Sequence, residues 1–277
     1  WYEQGLLEDA GVHVVGWKDG LDSPEATCSY LATAWHATLA RMAAIEDRYQ
    51  VMAAMAITRA NAEQAHRTIR SVLSVSKPVK LVLTASQDEF PRDIQDLPES
   101  LLDCLRDRHV RILWLHGRGM VPFGATLYTM SVMPFLPVAT VGQGCVYTED
   151  YIGRLYRLYQ SDPNGTRYAW TYAADTATPG FVFPDNRATL YPADCFRAYG
   201  LTGVAMDLLS KHDSDVYAGT MCKCMGIGVL GIAKDMPCTS TDGSRCIPAV
   251  HEHAEYTVKS VLGGYQYLVL HRPAARA

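Results

Sequence analysis

The sequence has little excess charge of either sign: 29 acidic side chains stand against 25 basic ones, for a net charge of −4. That balance excludes the usual electrostatic reasons to expect nucleic acid or an anionic membrane as a partner. Long hydrophobic runs are also missing. The longest uninterrupted apolar stretches, around Val51–Ile57 and Met225–Ala233, fall well short of a membrane span. The amino end, WYEQGLLEDAG, lacks the basic, apolar and small-residue order of a signal peptide, so a cytoplasmic protein is expected. No internal repeat or low-complexity tract is visible. The eight cysteines are scattered and do not have the spacing of a secreted disulfide framework. Cys222-Lys-Cys224 with Cys238 and Cys246 would offer four thiols to zinc. Their C-x-C pair departs from the usual two to four intervening residues, and buried small apolar side chains are the favoured reading.

What is present is a chain of 277 residues, 48% hydrophobic and 19% charged, long enough for one large or two modest domains. Residues 11–16 read as a strand, and Ser23-Pro24-Glu25 as a helix start for a segment running to about Asp47. We divide the chain into residues 1–49, an appendage or the tail of a preceding domain, and residues 50–277. In the second part strands and helices alternate. Val51–Ile57, Val79–Thr84 and Val110–Leu115 are apolar strands. Ala65, Ile69, Val72 and Leu73 mark a helix stopped by Lys77-Pro78, and Pro98 opens another through Leu101, Leu102 and Leu105. The alternation predicts an α/β fold, a mostly parallel sheet with helices on both faces.

The stretch from Pro134 to Gln160 organises this pattern. Pro137–Val141 is a short buried strand, and Gly142-Gln143-Gly144 breaks it. Cys145-Val146-Tyr147 resumes it, and Thr148 as cap, with Glu149 and Asp150 as first-turn acids, opens an amphipathic helix. Ligands of open α/β sheets sit at carboxyl ends of strands, yet the Gly142–Gly144 break carries no ionisable group. Further on, the expected elements are strands at Tyr168–Tyr172, Ala188–Tyr191 and Ile227–Ile232. Helices are expected at Gly200–Lys211, Val216–Met225 and Glu252–Leu262, with PCTSTDGSRC as loop.

Five segments, in order, resemble the bacterial family-two-like glycosyltransferases of the GT-A (Rossmann-like) fold. They are His66–Pro91, Asp96–Trp114, ATVGQGCVYTEDYIGRLYRLY (Ala139–Tyr159), ATLYPADCF (Ala188–Phe196) and SDVYAGTMCKCMGIGVL (Ser214–Leu230). The resemblance implies transfer of a sugar from a nucleotide-sugar donor to a saccharide or lipid-linked acceptor. Residues 50–277 would form the glycosyltransferase domain, with a mixed acceptor-side region. The departures fall at functional positions. The family's acidic, metal-holding triplet is Gly142, Gln143 and Gly144 here, and the paired glycines ahead of its LYP motif are Arg187 and Ala188. Of its later acidic pair only the second survives, as Asp215.

These departures bear directly on chemistry. Breaking a sugar–diphosphate bond builds negative charge on the leaving group, which a carboxylate-held Mn²⁺ or Mg²⁺ stabilises. If the ion contributes about 4 kcal/mol, its loss slows transfer roughly a thousandfold. The expected ligands are absent, so no metal or other cofactor is assigned. Donor binding falls to Thr58, Arg59, Arg118 and Gly142–Gly144. The two guanidinium groups suit phosphate oxygens, with a solvated surface role as the alternative. Tyr191 and Pro192 lie on the acceptor side. Asp215 matches the family's general base, with Asp213 as a neighbour able to raise its pKa, and capping the next helix is the competing role. His212, His251 and His253 read as solvated. The two functional readings are an inverting transferase with atypical or absent metal dependence, and a catalytically silent binding or scaffolding protein of the same fold.

Overall fold

The computed structural model describes residues 49–76, 79–86, 88–115, 136–162, 168–176, 180–193, 214–224, 226–249, 255–260 and 266–271, with 124, 126, 129 and 130. The chain divides into two compact units, Trp1–Gln50 and Val51–Ala277, and all the described strands and helices belong to the second.

The unit is built on β1 (Val51–Ile57), whose seven residues are all buried. A strand buried on both faces shows no polar alternation, and VMAAMAI has none. Helix α1 (Ala62–Val75) follows, burying Ala65, Ile69 and Val72, and ends where Ser76 turns extended two residues before Pro78. A proline disfavours helical backbone in the residue ahead of it, so the Lys77-Pro78 sequence accounts for a stop at this point. Strand β2 (Val79–Ser86), helix α2 (Glu99–Leu105) and strand β3 (Val110–Leu115) continue the alternation. β2 pairs in parallel with β1, and β3 with β2.

The chain then crosses back. Strand β4 (Val138–Thr140) pairs in parallel with β1 on the side away from β2. Next come β5 (Cys145–Tyr147), α3 (Tyr151–Ser161), β6 (Tyr168–Thr171), β7 (Ala174–Asp175), β8 (Phe183–Pro184) and β9 (Thr189–Tyr191). Helix α4 (Ser214–Cys224), β10 (Gly228–Gly231), β11 (Cys238–Ser240), β12 (Glu255–Ser260) and β13 (Gln266–His271) complete the described elements. The main sheet has seven strands in the order β10-β6-β9-β4-β1-β2-β3, and only β9 runs against its neighbours. The expected α/β architecture with a mostly parallel sheet is therefore observed.

Four details depart from the expectations. Glu252–Leu262, read as a helix, contains β12, which pairs antiparallel with β13. The β-branched Thr257-Val258 pair favours extended backbone over helix. PCTSTDGSRC, read as loop, holds β11, which finds its partner in the distant β5. Cys145–Tyr147 thus leaves the main sheet instead of resuming its strand. The cap of α3 is Asp150, whose carboxylate accepts the Gly153 N–H at 2.9 Å, while Thr148 bonds the Pro237 carbonyl. The expected helices at about 23–47 and 200–211 lie outside the described residues. Among the described residues no helix is long and apolar enough to cross a membrane.

Candidate functional site

Strand order reverses between β1 and β4: from β1 the chain steps to β2 and β3 on one side, then returns to β4 on the other. At such a switch the loops leaving the two strands diverge, opening a crevice outside their carboxyl ends. The loop leaving β1 begins at Thr58, and the loop leaving β4 contains Gly142–Gly144. The ladder brings them side by side, with Ala54 opposite Thr140 and the Val141 N–H on the Ala54 carbonyl at 2.8 Å.

Thr58 is half-buried; its N–H donates to Asn61 Oδ1 at 2.9 Å, and its carbonyl accepts from Asn61 and Ala62, shaping the start of α1. Arg59 is exposed and clasps the end of β2. Its Nε and Nη2 donate to the Glu89 carbonyl at 3.0 and 2.7 Å, its N–H to Glu89 Oε2 at 2.7 Å, and its guanidinium lies 5.8 Å from the Phe90 ring centre. Two of its side-chain donors are thus committed to backbone. Arg118 and Asp213 lie outside the described residues, as do His212, His251 and His253.

Gly142 is buried, and its N–H donates to the Tyr147 hydroxyl at 2.8 Å. A Cβ on it would stand 2.6 and 2.8 Å from Arg187 Cγ and Cβ, and 2.8 Å from Cys145 Sγ. Only glycine lets that arginine cross so closely. Gly144 has φ +69°, a left-handed turn that costs other residues strain. Between them, the Gln143 Nε2 is buried with no hydrogen-bond partner among the described residues.

Arg187 belongs to a second loop, Asp185-Asn186-Arg187, between β8 and β9. Asp185, 4% exposed, receives Arg187 Nε on Oδ1 at 2.8 Å and Nη2 on Oδ2, while Ala249 N–H donates to Oδ2 at 3.1 Å. The Asp185 carboxylate holds the Arg187 guanidinium firmly charged, its pKa raised above the ordinary value. Arg187 Nη2 also reaches the Ile247 carbonyl at 2.6 Å, and the Arg187 carbonyl accepts the Tyr147 hydroxyl proton. Asn186 turns the other way. Its N–H donates to Asp215 Oδ1 at 2.9 Å, its Nδ2 to the Ser214 carbonyl at 2.9 Å, and its Oδ1 accepts the Tyr191 hydroxyl at 2.6 Å. One loop therefore ties the Gly142 backbone to the first turn of α4, where Asp215 is 9% exposed. Tyr191 and Pro192 are buried behind this loop.

No family model matches the chain, and no curated protein matches it. Solved structures that match it include two glycosyltransferases. One is a mannosyltransferase of Pyrobaculum calidifontis in complex with GDP-Man and Mn²⁺: 12% identity, TM-score 0.48, 79% of this chain and 59% of that one. The other is the glycosyltransferase GlyE of Streptococcus pneumoniae: 13% identity, TM-score 0.42, 66% of this chain and 45% of that one. The chain thus spans little more than half the length of one and under half of the other.

The described side chains around Gly142–Gly144 do not fit a hard divalent cation, which needs several oxygen ligands. Among the described residues no three carboxylates or histidines converge. Both Asp185 oxygens are taken, and Asp215 Oδ1 accepts an N–H. Gln143 offers one neutral amide between two glycines. The Asp185–Arg187 loop is what residue-level reading missed. Its signal was the arginine standing where the resemblance called for glycine.

Three thiols lie directly behind the Gly142–Gly144 loop: Cys145, Cys238 and Cys246, all buried and free, with their sulfurs within 4.8 Å of one another. Cys145 and Cys238 titrate as a pair. The hydrogen bond from Cys238 pulls the Cys145 pKa down and holds the Cys238 proton on. Burial pushes Cys246 up. Of the thiols named from sequence, Cys238 and Cys246 belong to this cluster with Cys145, whereas Cys222 is buried in α4, where burial alone raises its pKa.

Proposed function

We propose that the chain is a glycosyltransferase-like protein of the GT-A type. It takes a nucleotide-sugar donor in the crevice outside β1 and β4 and passes the sugar to a saccharide or lipid-linked acceptor with inversion, without a carboxylate-held Mn²⁺ or Mg²⁺. The observation that carries this reading is the reversal of strand order between β1 and β4, with Thr58 and Gly142–Gly144 side by side at its open end. The resemblance of the motifs in residues 50–277 supplies the chemistry.

In this reading Arg187 is the cation that lies against the position of the missing triplet, crossing Gly142. Its Nε and Nη2 are fixed by Asp185 and Ile247, leaving Nη1 for a diphosphate oxygen. A charge-assisted hydrogen bond contributes about 1.5–3 kcal/mol, less than the ~4 kcal/mol of a metal, so transfer is slow. Asp215 serves as general base. The test is titration calorimetry with UDP, GDP and their sugars, with and without Mn²⁺. Binding of one nucleotide with equal affinity in both conditions is expected. Binding that requires Mn²⁺ contradicts the metal-free site, and binding of none removes the donor reading. Asp215→Asn keeps an oxygen for the Asn186 N–H, so it should stop transfer while donor binding stays intact.

One observation favours the silent alternative. A base must reach the acceptor hydroxyl, whereas Asp215 is nearly buried with Oδ1 turned to Asn186. Donor binding without transfer to any acceptor would decide for it.

A further inference from the structure

We propose that Cys145, Cys238 and Cys246 hold one thiophilic d¹⁰ metal ion, Zn²⁺ or Cu⁺, that staples the Gly142–Cys145 loop to the segment from Cys238 to Cys246. The backbone places the three thiols on one face. In the β5–β11 ladder Cys145 faces Ser240 and Tyr147 faces Cys238, so period-two alternation puts Cys145 and Cys238 on the same side. The antiparallel bridge between Thr239 and Arg245 then sets Cys246 opposite Cys238, on that same side. Three chain segments thus deliver three sulfurs within 4.8 Å of one another, at 2%, 4% and 8% residue exposure.

Thiolates are soft ligands and select Zn²⁺ and Cu⁺ over the oxygen-seeking Mg²⁺ and Mn²⁺. Three of them satisfy a trigonal Cu⁺, or hold Zn²⁺ with one further ligand. A disulfide is the competing fate of close thiols. Cys145 and Cys238 are diagonal across their ladder, where Cα atoms stand about 7–8 Å apart, beyond ordinary disulfide reach. Cys238 and Cys246, directly opposite, are the pair that geometry leaves free to oxidise.

The ion would act on position. Thr241, within the segment, donates to the Gly144 carbonyl at 2.9 Å and to Gln64 Oε1 of α1 at 2.5 Å, while Arg67 of α1 reaches its carbonyl at 3.1 Å. Fixing Cys238 and Cys246 to Cys145 would therefore clamp the Gly142–Gly144 loop between α1 and Arg187. This staple does not depend on what the crevice binds.

The experiment is a Co²⁺ titration of the full chain, purified under reductant, followed by the thiolate-to-cobalt charge-transfer absorption. Zn²⁺ displaces Co²⁺ in one arm, and a colorimetric Cu⁺ chelator competes in the other. One equivalent per chain is expected, with Zn²⁺ displacing the cobalt or Cu⁺ resisting the chelator identifying the preferred ion. Cys238→Ser should bind at least ~10-fold more weakly, and Cys222→Ser, equally buried but outside the cluster, should bind as the parent does. The parent titration decides by itself if Cys238→Ser fails to fold. Absence of both the cobalt band and Cu⁺ retention overturns the proposal, as does an unchanged band in folded Cys238→Ser. A Cys238–Cys246 disulfide that survives mild reductant and excludes metal overturns it too.

Discussion

The two halves of the main sheet are held by different chemistry. β1, β2 and β3 are joined by parallel ladders and bury Met55, Ile57, Leu81, Leu83 and Leu113 completely. Across β4, β9 and β6 the buried apolar side chains are joined by three buried threonines, Thr140, Thr171 and Thr189, that bond one another and the backbone. Thr140 Oγ1 donates to the Thr189 carbonyl at 3.1 Å and accepts the Thr189 N–H at 2.9 Å. Thr189 Oγ1 lies 2.8 Å from Thr171 Oγ1 and 2.7 Å from the Asp185 carbonyl. The Tyr151 hydroxyl adds a bond to the Thr140 carbonyl at 2.6 Å. Apolar burial is strong but undirected, whereas a buried hydrogen bond fixes angle and distance. The apolar half therefore supplies stability, and the hydroxyl-laced half fixes where Asp185, Asn186 and Arg187 stand. The reversal of strand order falls on the seam between them.

The largest effect should come from the apolar half. Leu83→Ala removes a side chain with no exposed surface, and we expect a loss of about 2–5 kcal/mol by urea unfolding. Nucleotide binding, measured below the transition, should be unchanged, because Leu83 lies inside β2, three residues short of its carboxyl end. A large change in binding with little loss of stability would dissolve the distinction between the halves.

Arg187→Met tests the other side. It leaves Asp185, 4% exposed, without its cation, and we expect a cost of about 2 kcal/mol, discounted because the arginine side chain is 29% exposed. Here donor binding should fall along with stability. Adding Asp185→Asn should restore part of the stability but none of the binding. Recovery of both would reduce the pair to a structural link.

Gly142 and Gly144 sharpen the contrast within a single loop. Gly142→Ala drives a methyl into Arg187 and Cys145, at separations of 2.6–2.8 Å, and should cost about 1–3 kcal/mol by thermal or urea unfolding. Gly144→Ala meets nothing within 4 Å and carries only the strain of φ +69°, about 1 kcal/mol. Equal costs would mean that the arginine does not lie across the loop.

The apolar half was legible in the sequence because its signal is local. VMAAMAI and VKLVLTAS can be little but buried strands, and Lys77-Pro78 between them ends a helix wherever the fold goes. The site was half legible. Gly142-Gln143-Gly144 announced a strand end without charge, but nothing local says that an arginine many residues later crosses over its first glycine. β11 was hidden for the same reason: Thr-Ser-Thr-Asp-Gly has loop composition, and its pairing with β5 is a long-range choice. Likewise Cys145 could not be grouped with Cys238 and Cys246, since spacing within a chain does not report which strands are neighbours.

The smallest effect separates the isolated thiol from the clustered ones. Burial pushes the Cys222 thiol above the ordinary value of 9.0, with no charged neighbour contributing. Below pH 9 the folded and unfolded chains both keep that proton, so Cys222 adds no pH dependence. Above it the unfolded chain loses the proton while the folded chain holds it. The native state then binds more protons, and stability falls by about 1.4 kcal/mol per pH unit. Cys222→Ala should therefore show a shallower decline than the parent between pH 9 and 10, by up to about 1.4 kcal/mol, while their pH dependence matches below pH 8. Urea unfolding across that range reads the difference directly. Parallel curves would mean that Cys222 ionises as readily in the folded protein as in the unfolded one, and that α4 does not seal it from water.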